Sequence, residues 1–368
     1  MADPLVVVGG GVAGCAAAVA AAEIRGPQAV VLLCADHHLG GVAVQGEHRT
    51  LCGLAPIDAP VAELLEPDLT APWVESLTTG DPFRSGRVWL WPTAAEVLQR
   101  GLASRLARSG VVIRRGTVVD GVEWDRRRIV AVQTGSSRVP CQAVIDASGT
   151  AAIAEAAGLA TAPGAQWGAY RSVLRLALGR GLAARAAALR RVVAAIAPKS
   201  AENAGESAAF PAAALTPIGD DLWQISIDVP PSTAVAIAAE LAERAAAALG
   251  GELLECARSV AERDGGRPLA RLTLAELFAT RERDLTWAAW PREQHGPDGI
   301  LWEWPTADRH GVPEIATRPL GGPDNMWCIG RAMAVDAAAA AALRVTGTAL
   351  AVGTAVGRRV AQAMAPVC

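Results

Sequence analysis

Leu5-Val6-Val7-Val8-Gly9-Gly10-Gly11-Val12-Ala13-Gly14 is the stretch on which the reading of this chain turns. Four apolar residues in a row, three of them β-branched, read as a strand buried on both faces, as in a parallel sheet. The glycines fit G-x-G-x-x-G. Gly9 permits a tight turn, Gly11 lets backbone approach a pyrophosphate without a Cβ in the way, and Gly14 lets a helix pack close on the strand. Val12 and Ala13 lie at the helix N-terminus, whose free N–H groups and dipole favour an anion. Ala-rich Cys15–Ile24 continues to Gly26-Pro27, and Ala29–Leu33 follows as a second buried strand. Strand, turn, helix and strand in this order make a β-α-β unit, and a dinucleotide is the expected ligand.

An acidic residue for the ribose hydroxyls is usual about twenty positions on. Here the second strand ends in Leu32-Leu33-Cys34-Ala35-Asp36, so Cys34 stands at the expected carboxylate position. Asp36, two residues further, or a backbone group is then expected to serve the ribose. Beyond Leu39-Gly40-Gly41, the segment Thr93–Ser109 reads as an amphipathic helix, with Thr93 as N-cap and Leu98, Leu102 and Leu106 on one face. Val111–Ile113, Val118–Trp124 and Ile129–Thr134 read as successive strands. Ala143–Asp146 is another buried strand, ending at Ala147-Ser148-Gly149-Thr150.

The middle of the chain, 166–318, differs in texture. It holds polar–apolar alternation over Leu222–Val229, Ala/Leu/Arg helices at about 181–197 and 232–249, and six of the eleven tryptophans. This reads as a second lobe, α+β with antiparallel sheet, inserted between 1–165 and 319–368. Met326–Ile329 is a last apolar strand, followed by Gly330-Arg331 and a small-residue helix from about Thr346 to Met364. The fold class is therefore α/β, a Rossmann-like parallel-sheet domain discontinuous in sequence plus the inserted lobe.

With 51% hydrophobic and 19% charged residues, the 368-residue chain has ample material for a core. A net charge of −3 offers no basic surplus for nucleic acid or an anionic membrane. Lys199 is the lone lysine, so no P-loop or Schiff-base lysine is available. Seven cysteines, widely spaced and without C-x-x-C, argue against a disulfide framework or zinc ribbon, and a cytoplasmic location is expected. No Lys or Arg precedes the first apolar run, which disfavours a secretory signal. Residues 332–357 carry Asp336 and Arg344, which disfavours a membrane span. Five scattered histidines, without H-E-x-x-H, suggest no metal site.

Four stretches together resemble the FAD-dependent oxidoreductase family, within the glutathione-reductase-like and p-hydroxybenzoate-hydroxylase-like flavoproteins. They are the glycine turn, Leu39-Gly40-Gly41, Val144-Ile145-Asp146-Ala147-Ser148-Gly149, and Cys328-Ile329-Gly330-Arg331-Ala332. The last is followed by Leu343-Arg344-Val345-Thr346-Gly347-Thr348 and a helix containing Gly353 and Gly357. The resemblance implies that the third stretch returns the chain to the cofactor domain. It also implies that Gly330-Arg331 lie by the ribityl chain and that the last helix points its N-terminus at the isoalloxazine. Gly9, Gly11, Val12, Ala13, Gly14, Asp36, Gly40, Gly41, Val118, Ala147, Ser148, Gly149, Gly330, Arg331, Arg344 and Thr346 are the implied FAD contacts, with FAD held non-covalently. A plain NAD domain has no use for a second cofactor-contacting strand and helix some 300 residues later, whereas a long FAD does.

Between Gly41 and Leu54, the resemblance implies a loop beside the flavin. His48 is a candidate acid or base, Arg49 a candidate anchor for a carboxylate or phosphate, and Cys52 a candidate flavin-edge thiol. Trp287, Trp290, Trp302 and Trp304, near Arg281, Arg283, His295 and His310, suggest either an aromatic substrate pocket or a tryptophan-rich core. The expected activity is flavin-mediated dehydrogenation of a small-molecule or peptide-borne organic substrate. The alternatives are a flavin monooxygenase or tryptophan-halogenase-like enzyme, and a flavin-fold binding protein without turnover.

Overall fold

A computed structural model describes residues 3–135, 137–162, 167–197, 212–230, 233–262, 266–296 and 299–364. The expected lobe boundary at 165–166, Lys199 and Cys368 lie outside them. The described chain opens with strand β1 (Leu5–Val8), helix α1 (Val12–Arg25) and strand β2 (Val30–Leu33). Helix α2 (Ala95–Arg108) leads to β3 (Val112–Arg114) and later to β4 (Ala143–Asp146). Then come β5 (Gly168–Arg175), α3 (Leu182–Ile196), β6 (Ala213–Pro217), β7 (Leu222–Val229), α4 (Val235–Leu249) and β8 (Glu252–Cys256). Strand β9 (Arg292–Gly296), strand β10 (Met326–Cys328), helix α5 (Ala337–Leu343) and helix α6 (Thr346–Ala363) complete the framework.

The first sheet is wholly parallel, in the order β10-β4-β1-β2-β3. Every residue of β1, β2 and β4 is buried, as an apolar run covered on both faces requires. Leu5 and Val7 point into a core shared with α1, α2 and α6, while Val6 and Val8 enter a second core with Ile129, Val139 and Met326. Helix α6 packs directly on α1 because both are built of small residues. A Cβ on Gly353 would meet the Ala13 carbonyl oxygen at 2.4 Å, and one on Gly357 would meet that of Ala17 at 2.3 Å.

The second sheet is antiparallel, with β6-β7-β5-β8 as its main order. Its apolar face, with Tyr170, Leu215, Trp223, Ile225 and Ile227, packs under α3 and α4. The period-2 alternation of β7 therefore turns Gln224, Ser226 and Asp228 to the opposite face. Leu272, Leu274, Leu277 and Leu285 pack into the first core with α1 and α6.

Some boundaries differ from the sequence reading. Thr93 does not cap α2. The helix starts at Ala95, and Thr93 Oγ1 instead donates to the Leu77 carbonyl at 2.5 Å. The strand expected from Val118 starts at Gly121, leaving Val118 63% exposed on the approach. No single helix among the described residues is long and apolar enough to cross a membrane. Together α5 and α6 have the composition of a span, but they bend by 94° and α6 lies against α1. The six described cysteines are all free.

Candidate functional site

At the carboxyl ends of β1, β2 and β4 the backbone forms a cleft of about 390 Å3, the position where open α/β sheets bind ligands. Its floor is shaped by glycines with different reasons for being glycine. Gly9 has φ 114° and donates its N–H to Leu33, and a Cβ there would meet the Ala147 carbonyl oxygen at 2.2 Å. A Cβ on Gly14 would meet the Gly9 carbonyl oxygen at 2.0 Å. Those two positions are fixed by packing. A Cβ on Gly11, by contrast, would meet nothing within 4 Å, because it would project into the cleft. Gly11 is also the α1 N-cap and offers no side chain to the first-turn N–H groups, which leaves them for a ligand anion.

The neighbouring loop follows the same logic. Gly40 donates to the Gly10 carbonyl at 2.7 Å, and the left-handed Gly41 (φ 50°) sits so that a Cβ would lie 3.2 Å from Gly11 Cα. After β4, the fully buried Asp146 carboxylate holds the turn. It accepts from the Ser148 N–H (3.0 Å) and Oγ (2.6 Å), and from the Ile153 N–H (2.9 Å). Burial pushes the Asp146 carboxyl above the usual carboxylate range, against the pull of these hydrogen bonds.

The closing part of the chain reaches this same place. A Cβ on Gly149 would meet Arg331 Nη2 at 2.7 Å, and one on Gly330 would meet the Ala13 Cβ at 3.2 Å. Thr346 and Ala349, in the first turn of α6, line the cleft, and that turn carries no acidic residue to oppose the positive end of the helix dipole. Open space beside Gly11, uncapped N–H groups, and walls drawn from both ends of the chain fit an extended dinucleotide carrying a pyrophosphate.

Of the residues singled out in the sequence, the structure gathers nearly all into this one cleft. Gly9, Gly11, Val12 and Ala13 line it from the first turn, Asp36, Gly40 and Gly41 from the second, and Val118 from the loop before the 121–125 strand. Ala147, Ser148 and Gly149 line it from the β4 turn, and Gly330, Arg331, Arg344 and Thr346 from the closing segment. Gly14 sits behind, between helix and strand. Half-buried His48 is on the wall, its N–H bonded to the Ala43 carbonyl at 3.0 Å.

Arg49 and Cys52 are not among the lining residues. Arg49 pairs with Glu47 at 3.7 Å and also with Glu255. The Cys52 thiol is pushed up to about 12, by burial first and then by Glu293, so it is not a thiolate at neutral pH. The four tryptophans do not gather. Trp290 is buried with Leu90 and Val345, whereas Trp302 is 44% exposed and stacked on Trp304 at 6.0 Å.

Other lining residues, among them Gln45, Thr117 and Ala349, carried no warning in the sequence. Cys34, at the expected carboxylate position, does line the cleft just after β2, its thiol pushed up to about 11 by burial, and Asp36 beside it accepts a 2.9 Å hydrogen bond from Gln45. The polar face of the second sheet comes down on the 45–49 loop. Arg171 donates to the Gly46 carbonyl at 3.3 Å, Gln224 to that of Glu47 at 2.7 Å, and Ser259 to that of Gln45 at 3.3 Å. The His48 wall is therefore held from above by three side chains of the other sheet region. Alternation within β7 was the one available signal for this face. Among the described residues no group of three or more His, Cys, Asp or Glu is placed to hold a metal ion.

A family model described as FAD dependent oxidoreductase matches residues 4–224 and 271–366. No curated protein matches the sequence. Among solved structures the chain is similar to a glycine oxidase from Bacillus cereus, with 14% identity, 98% of this chain and 94% of that one covered, and a TM-score of 0.48. It is also similar to OxyS, an anhydrotetracycline hydroxylase from Streptomyces rimosus, with 14% identity, coverage of 99% and 62%, and a TM-score of 0.48. A third is the Diels-Alderase PyrE3 of pyrroindomycin biosynthesis, with 16% identity, coverage of 98% and 66%, and a TM-score of 0.47. The chain thus spans less than two thirds of the length of the last two.

Proposed function

The chain belongs to the FAD dependent oxidoreductase family, and from that premise we propose that it holds FAD non-covalently in the glycine-walled cleft and uses it to dehydrogenate an organic substrate. The observation that carries this reading is the meeting of the two ends of the chain. Gly330 lies against Ala13, Arg331 against Gly149, and the first turn of α6 borders the same cleft as the first turn of α1. FAD, when bound, accepts two electrons from the substrate. The chain's part is to bind and orient. The α1 N-terminus beside Gly11 holds the pyrophosphate, and Asp36 meets the ribose in place of the missing acid at Cys34. The start of α6, with Arg344, stabilises negative charge at the flavin end. His48, on the wall beneath the second sheet, is placed to hold or move a proton. On this reading residues 1–165 and 319–368 form the cofactor part and 166–318 the substrate part.

Anaerobic mixing of FAD-loaded protein with a panel of alcohols, amines and hydroxy acids tests the reading. Bleaching of the flavin by one class without NAD(P)H is the expected outcome. Bleaching only by NAD(P)H, and faster with a candidate substrate present, would move the assignment to a monooxygenase. No bleaching by any donor would leave a binding protein.

A further inference from the structure

The end of β2 poses a problem that the turn after it answers. A ribose site needs an acceptor strong enough to hold hydroxyl groups against water. Cys34 is a poor one, because a neutral thiol is only a weak donor and a weak acceptor. Its backbone is also pinned, with the N–H donating to the Arg114 carbonyl at 2.8 Å and the carbonyl accepting from the Thr117 N–H at 2.8 Å. The side chain is 1% exposed and turned against the first glycine turn, where a Cβ on Gly10 would stand 2.6 Å from Sγ.

Two residues on, Asp36 is exposed and lines the cleft. An exposed aspartate alone turns among its rotamers, and a ligand that uses it must first immobilise it at a cost in entropy. Here Oδ2 already accepts from Gln45 Nε2 at 2.9 Å. Among the described residues Oδ1 accepts no hydrogen bond, which leaves it to a ligand. The donor suits the task. A neutral amide fixes a carboxylate without cancelling its charge, whereas an arginine would take both oxygens at once.

Gln45 is itself held. Half-buried and on the cleft wall, it ends the short helical turn Val42–Gln45. Its N–H donates to the Gly41 carbonyl at 3.0 Å, and its carbonyl accepts from Ser259 Oγ at 3.3 Å. Gly46 closes the turn by donating to the Val42 carbonyl at 2.9 Å. Gly41, at the start of this turn, lies against Gly11, where a Cβ on it would be 3.2 Å from Gly11 Cα. The amide that orients Asp36 is thus carried on backbone tied to the first glycine turn and to the segment after β8.

We propose that Gln45 is the positioning residue of the ribose site, its amide locking Asp36 Oδ2 so that Oδ1 accepts from the ribose hydroxyls of the adenosine half of the cofactor. The proposal rests on the reading of the cleft as an FAD site, and adds the residue that lets Asp36 stand in for the acid missing at Cys34. A carboxylate oxygen held in this way accepts an O–H and repels a phosphate, so the site selects an adenosine diphosphate whose ribose is unphosphorylated.

Calorimetric titration of the flavin-free full chain with ADP and with 2′,3′-dideoxy-ADP tests the proposal, because the two ligands differ only in the ribose hydroxyls. Wild type is expected to prefer ADP by about fivefold. Gln45→Leu and Gln45→Met, each folded by circular dichroism, should lower that preference to about twofold or less while binding dideoxy-ADP as wild type does. Asp36→Ala should abolish the preference. Two variants at position 45 guard against one failing to fold. A folded position-45 variant that keeps the fivefold preference, or that loses affinity for both ligands equally, would overturn the role of Gln45, the second result making it a structural residue only. A wild-type chain that bound both ligands equally would overturn the ribose contact, and one that bound neither would overturn the FAD reading on which it rests.

Discussion

The floor and the roof of the cleft are built on opposite principles. The floor is made of absent side chains: glycines at 9, 14 and 41 let backbone approach backbone, Gly11 leaves open space, and the cleft's charged lining residues are Asp36, Arg331 and Arg344. Above it, behind the lining residue Arg344, lies a row of ionisable side chains, Asp228, His295 and Glu293, bonded to one another and to Arg344, while Arg171 and Gln224 of the same sheet hold the 45–49 loop. A floor of backbone suits a ligand part that is always the same, the pyrophosphate of a dinucleotide. A roof of specific charges suits a part that differs from enzyme to enzyme, the substrate and its protons. On the proposed function, cofactor binding falls to the first region and reaction specificity to the second, and each can be broken separately.

The largest effect is expected in the roof. Asp228→Ala leaves the buried His295 Nδ1 without its carboxylate partner and should cost about 3–5 kcal/mol in denaturant unfolding, as breaking a buried ion pair does. FAD affinity should hardly change, and a large loss of FAD binding in a folded variant would show that floor and roof are not separable.

Two buried histidines sharpen the contrast within the upper region. His295 is hydrogen-bonded at both nitrogens, whereas His310 is fully buried with neither nitrogen partnered. Burial first, and Arg281 second, push the His310 ring down from 6.5 to about 4. The unfolded chain therefore takes up a proton on this ring before the folded chain does. Its contribution to stability is fully present above pH 6.5 and is lost as pH falls toward about 4. The loss is on the order of 3 kcal/mol across that window, and His310→Phe should remove it, flattening this part of the acid limb in pH-dependent melting.

In the floor, Gly14→Ala and Gly11→Ala should separate packing from ligand binding. The Gly14 Cβ would overlap the Gly9 carbonyl, so this change should cost about 2–3 kcal/mol of stability. The Gly11 Cβ meets only open space, so Gly11→Ala should leave stability within about 0.5 kcal/mol while weakening FAD binding about tenfold. A Gly11→Ala protein with unchanged affinity would move the pyrophosphate elsewhere. The smallest effect is expected at the ribose. Asp36→Asn should weaken FAD binding by about 1 kcal/mol or less, since only the charge of one hydrogen-bond partner is lost, whereas Cys34→Ser should do less still.

How much of this was legible in the sequence follows from the same division. The floor announced itself because positive-φ turns require glycine locally, so Gly9, Gly40, Gly41, Gly149 and Gly330 stood out, with Gly11 beside them at the helix N-terminus. The roof did so only in part: Arg344 and His295 were named, but Asp228 joins them from a strand 67 residues from His295, and no spacing links the two. The alternation of β7 marked a polar face but not what it faced. The residue type of Arg49 suggested an anion anchor; in the structure it pairs with Glu47 beside it and Glu255 from β8. Thr93 had the composition of a cap and spent its hydroxyl on Leu77 instead.

If the opening and closing segments of the chain share a single FAD, as proposed, flavin titration of two variants will show it. Gly11→Leu fills the floor from the first turn, and Ala349→Leu fills it from the first turn of α6, at positions that both border the cleft. Wild type should bind one FAD per chain, and each variant, folded by circular dichroism, should bind at least about tenfold more weakly. If folded Ala349→Leu bound FAD as tightly as wild type while Gly11→Leu did not, the closing helix would have no part in the cofactor site.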